Sequence, residues 1–108
     1  MDTATLLDTL IMTLVKESGS DIHIVSGSSP AVRIHGELIS VVRLPVMMAE
    51  DSLAILHEMI NQKQFEKLER EQQLDFAYTH RGEYRLRGNA FYQKNSVAVV
   101  LRLIPKIK

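Results

Sequence analysis

The residues with the clearest capacity for chemistry lie near the C-terminal end, in EYRLRGNAFYQ, Glu83 to Gln93. Strand alternation sends Tyr84, Leu86, Gly88, Ala90 and Tyr92 to one face and Arg85, Arg87, Asn89, Phe91 and Gln93 to the other, so one face is apolar and one is cationic. A two-residue turn at Lys94 and Asn95 sets Arg87 directly opposite Arg102 on the cationic face. Like charges across a ladder are unfavourable, and solvent, a carboxylate such as Asp75 or an anion from elsewhere must offset them. The plain alternative is three surface arginines snorkelling over the sheet. A three-residue turn would move Arg102 to the other face.

Other candidates give less. None of the five glycines opens a GxxxxGK[ST] loop, so the chain has no P-loop, and the GSSP cluster (Gly27 to Pro30) lacks a lysine and reads as a turn between strands. His23, His35, His57 and His80 fall on a strand, a tight turn, a helix and a strand end, without HxxxH or HxH spacing, so no local metal site is expected. His23 reads as a partly buried strand residue making one hydrogen bond, with Asp21 as a neighbour. Glu66, Glu69 and Glu71 are interspersed with Lys63, Lys67 and Arg70, which predicts a solvated helix face with a Glu66–Arg70 pair.

The elements that position these residues can be read from periodicity. Leu6, Leu7, Leu10, Ile11, Leu14 and Val15 make an amphipathic helix with Asp2, Thr3 or Thr5 as cap and Gly19 as stop. At Asp21 the period becomes two, with Ile22 and Ile24 on one face. AVRIHGELISVV is a hairpin turning at His35 and Gly36. AEDSLAILHEMINQKQFEKLERE holds two consecutive helices or one kinked helix, with Asn61 and Gln64 as a capping box. LDFAYT, EYRLRGNAFYQ and SVAVVLRLIP are strands, and a short basic tail follows. The order α β β β α α β β β predicts an α+β, PAS-like domain: a mainly antiparallel sheet with helices packed on it.

A chain of 108 residues makes one domain, and its 13 basic and 13 acidic side chains cancel, which disfavours general nucleic-acid binding. The absence of cysteine removes thiolate chemistry and leans towards a reducing compartment. No run approaches the roughly 20 apolar residues of a membrane span.

SDIHI with its turn, AVRIHGEL, LDFAY, and YRLRGNAF continuing into VVLRLIP together resemble the N-terminal domain of the PilT-type retraction ATPases of type IV pili, in the type II/IV secretion ATPase family. The similarity runs from about Asp2 to Pro105. It implies residues 1–108 as one PAS-like domain that normally leads into a RecA-like ATPase domain, absent here, in a homo-hexameric ring at the cytoplasmic face of the inner membrane. It further implies twitching motility driven by ATP and Mg2+ in the full motor, no cofactor or ATPase activity for this domain alone, and contact with an inner-membrane platform protein. Matched by position, Arg85, Arg87 and Arg102 are the arginines that such domains place near nucleotide phosphates of an adjacent ATPase domain. Gly88 departs from the usual β-branched residue, and a bulge or a close backbone approach is expected there. The alternatives are the equivalent domain of a secretion or pilus-assembly ATPase, a stand-alone ligand-binding module, and an interaction domain docking through its basic tail and sheet edge.

Overall fold

The computed structural model describes residues 1–106. The elements are α1 (Thr3–Lys16), β1 (Asp21–Ile24), β2 (Ala31–Ile34), β3 (Glu37–Ser40), α2 (Ala49–His57), α3 (Gln62–Glu71), β4 (Gln73–His80), β5 (Tyr84–Gln93) and β6 (Ser96–Leu103). The strands form one sheet in the order β3-β2-β1-β6-β5-β4, with every neighbouring pair antiparallel. The α+β expectation therefore holds. Of the basic tail, Ile107 and Lys108 lie outside the described residues, and Lys106 pairs with Glu83 at 2.6 Å.

Short sequence signals set the boundaries. Asp2 caps α1 by accepting from the Thr5 amide at 2.8 Å. The left-handed residue at the helix end is Ser18, not the expected Gly19. Gly19 is needed for another reason, since a Cβ there would fall 2.6 Å from Leu14 Cδ1 and 2.8 Å from the Arg33 carbonyl. Asn61 and Gln64 form the capping box reciprocally, so two helices are present instead of one kinked one. The expected Glu66–Arg70 pair does not form: Glu66 accepts from Gln62, and Arg70 approaches Glu71 at 3.7 Å.

His35 with Gly36, and Lys94 with Asn95, take positive φ at both central turn positions, the backbone that matches strand twist in a two-residue hairpin. The second turn pairs Gln93 with Ser96 and thereby fixes Arg87 opposite Arg102. Gly88 stays in register with Phe76 and Leu101, so it marks a close approach and not a bulge.

One face of the sheet carries Ile22, Ile24, Leu74, Phe76, Leu86, Ala90, Val97, Val99 and Leu101, all buried against the helices. On the helical side Leu7, Leu10, Ile11, Leu14, Ile55, Leu56 and Leu68 complete the core. Tyr92 Oη donates to Glu69 at 2.7 Å, tying α3 to β5; burial first, then this bond to a carboxylate, pushes the phenol up to about 12. Among the described residues no helix covers the opposite face, and there the arginines stand.

Candidate anion-binding face

Antiparallel pairing lines up one residue per strand across the open face: Leu38, Arg33, Asp21, Arg102, Arg87 and Ala77. Three arginines and one carboxylate thus share a row. Arg85 stands two residues along β5 from Arg87 on the same face, opposite Thr79. The structure brings together Arg87 and Arg102 as the sequence predicts, with Arg85 one step away.

Of the possible offsets, a carboxylate is present on the Arg102 side of the pair, and it is Asp21, not Asp75. Asp75 instead accepts from Asn89 Nδ2 at 2.7 Å. Asp21 is only 4% exposed, although it belongs to the open face, because the side chains flanking it across the ladder cover it. Ser20 Oγ donates to its Oδ2 at 2.6 Å and Arg102 Nε to its Oδ1 at 3.0 Å, while Arg33 Nε lies 3.7 Å from Oδ2. Arg102 is anchored through Nε alone and its side chain remains 72% exposed. Arg85 and Arg87 are exposed and have no ion-pair or side-chain hydrogen-bond partner among the described residues. The face presents unsatisfied planar donors, which suit a carboxylate or phosphate.

Asp21 and Arg33 were not singled out as site residues by sequence. The signal was present: alternation places Asp21 opposite to Ile22 and Ile24, hence on the open face. What alternation could not supply was the pairing of β1 with β6, a contact between the two ends of the chain.

Burial alone would raise the Asp21 pKa, but donation from Ser20 and Arg102 and the charges of Arg102 and Arg33 outweigh it, so the net shift is downward. A carboxyl depressed on folding adds stability above its unfolded pKa and loses it as pH falls through the depressed value. The loss therefore belongs below about pH 4. Acid unfolding followed by circular dichroism should show a shallower drop below that pH for Asp21→Asn than for the unsubstituted chain. Equal acid slopes would mean that Asp21 carries no linkage.

The histidines form no metal cluster; among the described residues no group of three or more metal-ligating side chains gathers. His23 is half-buried between Ala31 and Val100, and its side chain makes no hydrogen bond among the described residues, unlike the one expected. His57 tilts against Phe65 at 4.6 Å between ring centroids. His80, read from sequence only as a strand end, is buried and bonded on both ring nitrogens, to Tyr78 Oη at 2.9 Å and Asp8 Oδ1 at 2.7 Å. Among the described residues no helix is long and apolar enough to cross a membrane.

No protein-family model matches this chain. Among characterised proteins it is 33% identical over 95 residues to the type IV pilus ATPase PilU of Pseudomonas aeruginosa, covering 88% of this chain and 25% of that protein. It is 31% identical over 90 residues to the type IV pilus retraction ATPase PilT of the same organism, covering 83% of this chain and 26% of the relative. Among solved structures, the pilus retraction motor PilT with bound ADP superposes with a TM-score of 0.83 at 37% identity, over 91% of this chain and 29% of that one. The ATPase DotB of Legionella pneumophila shares the fold, with a TM-score of 0.77 at 19% identity over 94% of this chain and 29% of DotB. The chain spans about a quarter of the length of the curated pilus ATPases it matches.

Proposed function

We propose, for a chain that corresponds in sequence and fold to the N-terminal domain of PilT-type ATPases, that it is the regulatory and oligomerisation module of a hexameric motor powering pilus retraction and twitching motility. In this reading Arg85, Arg87 and Arg102 reach the phosphates of nucleotide held by the RecA-like domain of a neighbouring subunit. ATP and Mg2+ belong to the complete motor. The motor lies in the cytoplasm against the inner membrane, where it meets a platform protein.

The observation that carries this reading is Arg87: an exposed guanidinium with no side-chain partner among the described residues, held by strand register beside a second, largely exposed arginine that gives its anchor Nε alone. Phosphoryl transfer spreads charge over non-bridging oxygens, and guanidinium forks arriving from a neighbouring subunit stabilise that charge. A domain that turns relative to its neighbour could bring these forks to the nucleotide or withdraw them, coupling rotation to turnover.

The test is Arg87→Ala in this domain joined to its ATPase domain. Turnover should fall about tenfold, equivalent to about 1.4 kcal/mol of transition-state stabilisation, with the hexamer intact by light scattering. Arg87→Lys should restore only part of the rate, since an ammonium lacks the planar fork. Unchanged turnover in an intact hexamer would sink the assignment.

A further inference from the structure

We propose that Asp21 is the positioning residue of the arginine face, holding Arg102 by Nε so that its two Nη groups are presented outward to an incoming phosphate. The inference rests on the reading that these arginines receive phosphate, and it adds a residue whose side chain need never touch that ligand.

Three observations support it. First, the contact is one-pronged: Arg102 gives Asp21 only its Nε, at 3.0 Å, and a guanidinium so held keeps the four N–H donors of Nη1 and Nη2. A carboxylate that sequestered the arginine would take the fork through two bonds, as Asp8 takes Arg81 through both Nε and Nη2 at 2.8 Å. Second, Asp21 is itself fixed. It sits in β1 between two strands, directly opposite Arg33 on one side and Arg102 on the other, with Ser20 Oγ holding Oδ2. Third, Arg33 commits Nη1 to the Gly36 carbonyl at 3.0 Å and approaches Asp21 at Oδ2, 3.7 Å away, so it balances Asp21 without competing for Oδ1. An arginine as exposed as Arg102 ordinarily samples many rotamers, and ordering it only on binding costs affinity. A buried anchor removes part of that cost beforehand.

The alternative is that Asp21 merely neutralises charge, and it predicts the opposite sign. Removing a carboxylate from beneath a cationic row strengthens its attraction for anions by electrostatics alone. Removing a positioning group weakens it. The two can be separated by titrating inorganic triphosphate into the 108-residue chain and following the Arg Nε–Hε resonances by NMR.

Asp21→Asn keeps the side-chain shape and should weaken triphosphate binding about fivefold, roughly the worth of one charge-assisted hydrogen bond's orientation. The Arg102 Nε–Hε resonance should broaden while the β1 and β6 amides keep their positions. In an Arg102→Ala background the same substitution should no longer weaken binding, an outcome that a general structural weakening would not produce. Affinity unchanged or improved in Asp21→Asn overturns the proposal, as does an undiminished effect without Arg102.

If Asp21→Asn does not fold, Ser20→Ala replaces it. That variant removes the bond to Oδ2 while leaving the charge, and should weaken binding about twofold; no change would overturn the proposal. Failure of the broader reading looks different. If triphosphate leaves Arg87 and Arg102 unmoved in the unsubstituted chain up to about 10 mM, an affinity scale at which even weak specific binding registers, both readings fall. If Arg87→Ala weakens binding but Asp21→Asn does not, only the role of Asp21 falls.

Discussion

Replacing Gly88 by Val should cost the chain about 2–3 kcal/mol, the upper part of the range for forcing volume into a packed core. A Cβ at Gly88 would lie 2.2 Å from Cζ and 2.5 and 2.6 Å from the two Cε atoms of Phe76, its partner across β4 and β5. The aromatic ring thus occupies the space that a side chain at position 88 would need. Phe76 is buried in the layer between the sheet and the helices, so its ring can yield only by displacing other core atoms. Phe76→Leu, which opens that space, should rescue the Val substitution, so that the double variant is more stable than the two single costs predict. A coupling of about 1 kcal/mol is expected for side chains in direct contact, read from urea midpoints. If Gly88→Val leaves the midpoint unchanged, the ring is not pinned and Gly88 has no packing role. The substitution also tests the site indirectly, because β5 carries Arg85 and Arg87 and pairs with the strand that carries Arg102.

This pair illustrates which parts of the fold were legible in the sequence. The register of β5 on β6 could be read because Lys94 and Asn95 form a two-residue turn, and local turn chemistry then fixes every pair along both strands. The capping box at Asn61 and the turn at His35 and Gly36 were legible for the same reason: their determinants lie within a few residues. The offset of the arginine charge was not legible. Asp75 was the carboxylate nearer in sequence, but β6 pairs on its other side with β1, which delivers Asp21 from the opposite end of the chain. Propensity and alternation give faces; they do not say which strand arrives alongside. The role of Gly19 was hidden likewise, since the atoms that forbid a Cβ there come partly from Arg33, on a strand that follows it. Gly88 was read as a bulge or a close approach, and only the position of Phe76 decides between them.

Replacing His80 by Ala should cost about 2–3 kcal/mol, combining lost packing with lost hydrogen bonds, one of them to a charged group. His80 ends β4, the edge strand farthest from β3, and is 7% exposed. Because Nε2 faces the Asp8 carboxylate, it donates there, and in the neutral ring Nδ1 then accepts from the Tyr78 hydroxyl. Asp8 belongs to α1, and Arg81 closes a fork on the same carboxylate. The Arg81 bonds first and the His80 bond second hold the Asp8 carboxyl below its usual range, so the latch is formed at neutral pH and is lost on strong acidification. The helix so latched packs on β1 and β2, which lie beyond β6 and β5 from the latch. One buried histidine therefore ties the β4 side of the sheet to the helix that covers the other side, across the seam where β1 meets β6 and Asp21 meets Arg102. Hydrogen exchange should show the α1 amides of His80→Ala opening at a smaller free energy than those of β5 and β6. Arg81→Ala, which removes only exposed bonds to the same carboxylate, should have the smaller effect. If α1 exchanges as before in His80→Ala, the helix is held by its apolar face alone, and the seam under the arginines does not depend on the latch.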